Sequence, residues 1–566
     1  MNIGVSRSVR FGLGVGIPIL MVAGGVPAAV ASPQPSTAPS AQVTSARTSA
    51  AERRLVDRVK TPKVSWHRIT GKRAYLGTAS VPLDYNHPNG RQVTLALAKV
   101  PATAPSKKIG TLFLNPGGPG GSGVDLALNA NRLLSREVLS RFDIVGFDPR
   151  GTNGSDPVRC FATDRSAAPV LEALRGFPVG KSERKRFLAA ARKLADGCSH
   201  YGRRLASAMS TTEVARDMEL LRRSVGDAKL SYLGFSYGSY LGEMYANLYP
   251  DRFRAIAIDG VVDPAAWRGS RAKAAVPTSL RLKSAEGSWK ALSKALELCR
   301  AAGPEHCPLA DPTSTLRSVM ASLRKAPLQT PTGTVSYADL VNALLGTLYF
   351  QTGGPEQAVA LLGSVQDALK GDAVAATASS HLLKKLEHRR ASLAARYDNA
   401  VDASSAVLCS DTAEPRLPSV WQPQITQRAK TAPYFAEGWG WIDVQCARKY
   451  WTAADEDRYR GSFSRHTAPV LIVGNYQDPA TAYTAAVSTH RRMPNSWLLS
   501  SDSWGHTAYR TSQCVTGQVD AYLLDGTKPA EAVCQGDYVP FSTPLSAEAP
   551  RTSMSVAAAS AMGPRR

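Results

Sequence analysis

A serine flanked by glycines at the seam of a strand and a helix constrains this chain more than any other feature. The stretch LSYLGFSYGSYLGEMYANLYP runs from Leu230 to Pro250. Its first part is a short apolar run and reads as a buried strand. Its second part carries apolar residues at helical spacing. Between them, Gly234-Phe235-Ser236-Tyr237-Gly238 fits G-x-S-x-G. A chain that turns from strand to helix this sharply holds its central residue in strained backbone. Side chains two positions to either side would collide with the neighbouring helix and strand, so glycine stands at both. The turn exposes the Ser236 hydroxyl and aims the helix N-terminus at the reacting carbon. It also turns the Tyr237 N–H towards a developing oxyanion. The bare pattern is common; its place between strand and helix marks Ser236 as a nucleophile.

A nucleophilic serine needs a second oxyanion donor, a base and an orienting acid. The loop LNPGGPGGSG, Leu114 to Gly123, begins at the end of an apolar strand. It lacks the Lys-Ser/Thr of a phosphate loop and the G-x-G-x-x-G of a dinucleotide site. It reads instead as an oxyanion loop, with Gly117 as first donor candidate and Gly118 as second. On such a sheet the triad runs in the order serine, acid, histidine. After Ser236 a strand reappears in PVLIVGNYQD, which puts Asp478 just beyond its carboxyl end. Asp259 and Asp263, in AIAIDGVVDP, are the alternatives. His506 lies in SWGHTAY, a loop after the last strand, where the base must be. His490, in AYTAAVSTHRR, belongs to a surface helix.

The same strands organise the chain. RAYLGTASVPLDY and RQVTLALAKV flank the turn NHPNG, a hairpin signal. GTLFLN, FDIVGFD, KLSYLGF and AIAIDGVV are short apolar strands separated by helical stretches. That alternation indicates a mostly parallel sheet covered by helices on both faces. In STTEVARDMELLRRSVG, Ser210 and Glu213 form a capping box and Gly226 stops the helix. From 265 to 467 the strand pattern gives way to helices such as GSWKALSKALELCR and YADLVNALLGTLYF. The expected organisation is an α/β body over 62–264 and 468–545, interrupted by a helical insertion over 265–467.

Composition narrows the class. With 43% hydrophobic and 20% charged residues the chain is ordinarily globular. The net charge of +23 is dispersed rather than banked. Its densest stretches, KSERKRFLAAARK (Lys181 to Lys193) and HLLKKLEHRRASLAARY (His381 to Tyr397), mix Lys/Arg with Glu and Ala as solvated helix faces do. No nucleic-acid signature accompanies them, and no nucleic-acid partner is expected. Residues 1–31 read as a signal peptide: Arg7 and Arg10 precede an apolar stretch rich in Gly and Pro, and Ala29-Val30-Ala31 is an A-x-A site. No later stretch is apolar for long enough to span a membrane. Residues 32–61 read as a disordered linker or pro-segment, and 546–566 as a flexible tail. The expected product is a secreted, extracellular monomer.

The cysteines agree. Cys160, Cys198, Cys299, Cys307, Cys409, Cys446, Cys514 and Cys534 make an even count in an exported chain, which reads as disulfides. Their number leaves connectivity open; pairing of neighbours is the simplest arrangement, closing each loop within one region. No C-x-x-C pair or other metal-ligand spacing occurs, and neither metal nor cofactor is expected.

Taken together, YLGFSYGSYLG, NPGGPGGSG, GNYQDPAT, GHT and FDIVGFDPRG resemble the secreted actinobacterial tripeptidyl aminopeptidases. These form the proline-iminopeptidase-like branch of the α/β-hydrolases. The resemblance covers about residues 62 to 540. It implies an α/β-hydrolase fold with an inserted helical cap, and a Ser236–Asp478–His506 triad. It also implies peptide substrates cleaved near free N-termini with release of tripeptides. The chain departs from the family in carrying Asn153 in RGTNGS, where glycine is frequent, and AVLCSD around Cys409. An aminopeptidase needs a carboxylate to receive the substrate's α-ammonium group, and Asp411 and Glu414 are the candidates. The same triad would equally serve a carboxylesterase. A non-catalytic binding protein on this scaffold is the third reading, and the intact set of site residues argues against it.

Overall fold

In the computed structural model the described residues are 46–545, apart from 271, 273, 332, 378, 380–398 and 456. The signal peptide, residues 32–45 of the expected linker, the tail and the basic stretch from His381 to Tyr397 lie outside them.

The frame is a ten-stranded sheet. Its strands are β1 (Ser65–Arg68), β2 (Tyr75–Pro82), β3 (Gln92–Val100), β4 (Gly110–Asn115), β5 (Phe142–Phe147), β6 (Leu230–Phe235) and β7 (Phe253–Asp259). A small separate hairpin, β8 (Leu328–Thr330) with β9 (Gly333–Val335), follows. The sheet is completed by β10 (Val470–Gln477), β11 (Ser496–Trp504) and β12 (Val533–Gln535). Its order is β1-β2-β3-β5-β4-β6-β7-β10-β11-β12. The pairs β1–β2, β2–β3 and β3–β5 are antiparallel; every later pair is parallel.

The central strands are continuous apolar runs because both faces are covered. All six residues of β6 are buried. Leu112 and Leu233 are wholly shielded, each side chain contributing roughly 1.5–3 kcal/mol by leaving water. Parallel strands deliver their carboxyl ends to one edge. The loop after β4, Ser236 after β6, Gly260 after β7, Asp478 after β10 and His506 after β11 therefore collect there.

Between β7 and β10 the chain is mainly helical. Helices Ser284–Ala302, Pro312–Lys325, Tyr337–Leu348 and Gly354–Leu369 build a core of their own around Leu292, Leu344, Leu361 and Trp421. The β8–β9 hairpin belongs to this region and was not expected from the sequence; three-residue strands are too short to show a period of two.

Two further expectations need correction. Residues 50–56 form a helix, Ala50–Val56, within the stretch expected to be disordered. Glu52 of this helix accepts from Arg216 Nε at 2.8 Å and Tyr249 Oη at 2.9 Å. Asp57 pairs with Arg252 at 2.7 and 2.8 Å. The capping box at Ser210 and Glu213 is also absent. Ser210 precedes helix Thr211–Ser224, but its side chain makes no capping bond. Glu213 is instead drawn into buried ion pairs with Arg150 at 3.0 Å and Arg216 at 2.9 Å. Gly226, with φ +84°, does follow the end of that helix.

The eight cysteines form four bridges, Cys160–Cys198, Cys299–Cys307, Cys409–Cys446 and Cys514–Cys534. Each joins sequence neighbours and closes a local loop. Among the described residues, the one His/Cys/Asp/Glu group spaced like metal ligands is Cys514, Glu531 and Cys534. Its two sulfurs are already joined to each other.

Candidate active site

Ser236 has φ +56° and ψ −125°, outside the regions that residues with a side chain prefer. It precedes helix Tyr237–Leu248, whose first N–H groups have no partner within the helix. The flanking glycines are needed for space. A β-carbon at Gly234 would lie 2.4 Å from Gly238 O, and one at Gly238 would lie 2.8 Å from Asn115 O. The strain is held by the sheet: Ser236 N donates to Asp259 O at 2.9 Å, continuing the β6–β7 ladder.

The glycine loop after β4 presses on this turn. Gly117 has φ +89°, and a β-carbon there would lie 2.4 Å from Phe235 O, 2.8 Å from Ser236 Cβ and 2.9 Å from Tyr237 N. Its own N–H, however, donates to Asn115 Oδ1 at 2.9 Å. This reverses the expected order of donors. Gly117 lets the loop approach, and the Gly118 N–H, which has no acceptor within the protein among the described residues, is the better candidate. The far side of the loop is pinned by Asp148, which accepts from Ser122 Oγ at 2.7 Å and Gly154 N at 3.1 Å. Asn153 stands in this bend at φ +43°, a conformation asparagine tolerates.

His506 and Asp478 meet as expected from their strand ends. His506 Nδ1 lies 3.0 and 2.9 Å from the two Asp478 carboxylate oxygens. An N–H at Nδ1 donates to that carboxylate and leaves Nε2 as the acceptor. Burial alone would push Asp478 up, yet the His506 charge and hydrogen bond, with the Thr507 and Thr481 amides, hold it below the usual carboxylate range. Burial likewise opposes charge on His506, but Asp478 outweighs it and the imidazole is raised above 6.5. His506 is mostly covered, and Gly260 packs against it so closely that a β-carbon would lie 3.1 Å from His506 Cε1.

The alternatives have other partners. Asp263 caps helix Pro264–Arg268, accepting from Ala265 N and Ala266 N. His490, on helix Tyr483–Arg492, lies 2.9 Å from Ser496 Oγ. The two acids expected to receive an ammonium group are both buried and hydrogen-bonded within the protein. Asp411 is 3% exposed and its oxygens are taken by Thr211 N at 2.8 Å, Thr211 Oγ1 at 2.6 Å and Trp267 Nε1 at 3.0 Å. Burial lifts it to about 6, against those hydrogen bonds. Glu414 is 2% exposed, and both its oxygens accept from Thr278 N, at 3.3 and 3.2 Å. Burial and then neighbouring Asp443 raise it. Neither offers an open carboxylate to an ammonium group. Proximity to Cys409 said nothing about which way these side chains point.

Three contacts escaped the sequence reading. Thr481 Oγ1 donates to Asp478 Oδ2 at 2.9 Å and lies 3.5 Å from His506 Nδ1. Tyr349, just after helix Tyr337–Leu348, sets its ring edge-on to His506 at 5.1 Å, and its carbonyl accepts from His506 N at 3.2 Å. Asp259 holds the chain beyond His506. A threonine three residues past a candidate acid was a readable signal; the other two depend on tertiary packing.

A family model for TAP-like proteins matches residues 432–534, and one for the alpha/beta hydrolase fold matches 110–273. The chain is 31% identical to serine protease Hip1 of Mycobacterium tuberculosis over 492 residues, covering 81% of this chain and 86% of that protein. It is 30% identical to a tripeptidyl aminopeptidase of Streptomyces coelicolor over 477 residues, covering 83% of each. Carboxylesterase B of Mycobacterium tuberculosis is similarly related, 30% identical over 469 residues, 81% of this chain and 85% of that one. The strand order, the elbow and these relatives agree: the chain belongs to the α/β-hydrolases, as a TAP-like serine hydrolase.

Proposed function

We propose that this serine hydrolase is an exported exopeptidase that cleaves peptide bonds near free N-termini and releases tripeptides. Ser236 is its nucleophile, His506 its base and Asp478 its orienting acid. The observation that carries the catalytic part is the His506–Asp478 pair at 2.9 Å, on the sheet edge that also carries a serine in strained turn backbone. Similarity over most of the chain to a tripeptidyl aminopeptidase supports the peptide substrate. Four disulfides and the absence, among the described residues, of a helix able to cross a membrane support export.

In this mechanism Ser236 Oγ attacks the scissile carbonyl as its proton passes to His506 Nε2. The charge that develops on the carbonyl oxygen is met by the N–H groups of Gly118 and Tyr237. Asp478 keeps the imidazole oriented and stabilises it once protonated. His506 then gives its proton to the leaving amine, and the C–N bond breaks to leave an acyl-enzyme. Water, deprotonated by the same imidazole, releases the acid and restores Ser236. Because the base must be neutral and is raised above 6.5, activity falls as pH drops through that raised value.

Helices of the insertion, taken as a cap over 265–467, would set how much peptide fits between the N-terminus and Ser236. Three extended residues span about 10 Å. A carboxylesterase is the second reading. It is favoured by the related carboxylesterase and by the closed positions of Asp411 and Glu414, which leave the ammonium receptor unassigned. A hydrolysis panel separates the two. Free tripeptide anilides should turn over well, N-acetylated ones poorly and short acyl esters modestly. Equal rates on free and acetylated peptides would exclude the aminopeptidase reading, and a preference for esters alone would establish the esterase.

A further inference from the structure

We propose that Asp259 is a positioning residue that ties the nucleophile and the base to one strand end, its carbonyl holding the Ser236 amide and its carboxylate holding the loop behind His506. The inference rests on the roles given to Ser236 and His506 above.

Asp259 closes β7, between β6 and β10; it pairs with Phe235 on one side and Val473 on the other. Its carbonyl accepts from Ser236 N at 2.9 Å. Its carboxylate accepts from Ala508 N at 3.0 and 2.9 Å and from Tyr509 N at 2.7 Å. The side chain is wholly buried. A sheet has no need of a carboxylate at the end of an interior strand, and burying one is unfavourable unless donors surround it. Here the donors are the amides two and three residues beyond His506. That loop is held in backbone it would not adopt alone. Thr507 has φ +72° and Arg510 φ +75°, so the two gripped amides lie between left-handed residues, one of them β-branched. Such strain persists only where the surroundings over-determine it. Thr507 N on Asp478 and the two amides on Asp259 supply that constraint from adjacent strand ends.

The charges around His506 can be named. Asp478 faces Nδ1, the Thr481 hydroxyl lies beside it, the Tyr349 ring covers one side, and Asp259 stands behind the loop. Around Asp259 are Asp478 and His506. Burial pushes Asp259 up to about 6 against the pull of the Tyr509 and Ala508 amides, and Asp478 adds to the rise. Once ionised, Asp259 joins Asp478 in favouring protonated His506. Asp478 acts on the imidazole directly; Asp259 acts through the loop and through its charge.

The variant Asp259→Asn keeps the shape, removes the charge and turns an amide NH₂ towards groups that are themselves donors. The expected result is a fall in kcat of about ten- to a hundredfold, the scale of a small misplacement of a reacting group, with KM within about threefold. The acid-side midpoint of kcat/KM should move to lower pH, since a negative charge near His506 is gone. A folded Asp259→Asn enzyme with unchanged kcat and midpoint would overturn the proposal. So would a lower Tm with the midpoint unmoved, which is the mark of a purely structural role. If the variant does not fold, amide hydrogen exchange of the wild-type protein decides. Ala508 and Tyr509 should be protected like the strand amides of β10; exchange at open-loop rates would overturn the proposal. Failure of the underlying site reading is separately visible, as activity retained by Ser236→Ala.

Discussion

Asp478 and Asp411 are both buried aspartates at the ends of regular elements, one in the sheet and one in the helical insertion. Asp478 faces an ionisable imidazole and stays below the usual carboxylate range despite its burial. Among the described residues Asp411 accepts hydrogen bonds from neutral donors, Thr211 and Trp267, and burial carries it up to about 6. Thr211 Oγ1 also contacts the Tyr237 hydroxyl, so Asp411 braces the residue after the nucleophile from behind. Depth of burial does not separate a catalytic acid from a structural one; the partner does. In the proposed triad the strand-end acid orients the base, whereas Asp411 completes a closed hydrogen-bond chain.

The sharpest way to break this distinction is to remove the reacting groups. Ser236→Ala and His506→Ala should each lower kcat by about 10⁴- to 10⁶-fold, because members of a triad act as a unit. Steady-state rates that retain a tenth of wild-type activity in either purified variant would refute the assignment. Gly117→Ala tests the loop that faces the elbow. The new β-carbon would meet Phe235 O and Ser236 Cβ, so the loop must retreat and carry the Gly118 N–H with it. A loss of about 10²- to 10³-fold in kcat is expected, the cost of losing one oxyanion donor. A rate within twofold of wild type would show that the loop has no part in the chemistry.

These are also the places where the sequence was most legible. The strands that lead to Ser236 and Asp478 open on apolar runs because helices cover both sheet faces, and such runs are read directly from residue type. The order serine, acid, histidine then follows from strand ends that share one edge. What remained hidden depends on contacts between distant residues. Helix Ala50–Val56 follows a Pro/Ser/Ala-rich stretch and is too short to be stable alone; it is ordered by Glu52 with Arg216 and Asp57 with Arg252. Glu213 has the spacing of a capping residue, but buried Arg150 and Arg216 claim it. Spacing could not rank Gly117 against Gly118, because the choice turns on one hydrogen bond from Gly117 to Asn115. Asp411 could be placed beside Cys409 but not turned to the inner side of its helix.

The smallest expected effect sharpens the comparison from the cap side. A carboxylate receiving the substrate's ammonium group would raise KM when neutralised. Asp411→Asn should instead leave KM for a free tripeptide anilide within about twofold and lower kcat by only a few fold, through Tyr237. Initial-rate kinetics at pH 8, where Asp411 is ionised in the wild-type enzyme, provide the test. A KM raised tenfold or more, with kcat intact, would return Asp411 to the substrate site.

The central claim is that Ser236 is the nucleophile activated by His506. It is tested most directly by treating the wild-type protein and His506→Ala with a serine-directed fluorophosphonate and mapping the adduct by mass spectrometry. The account predicts one adduct per wild-type chain, on Ser236, and almost none in the variant over the same time. An adduct on a different residue, or equal labelling of Ser236 in both proteins, would contradict it.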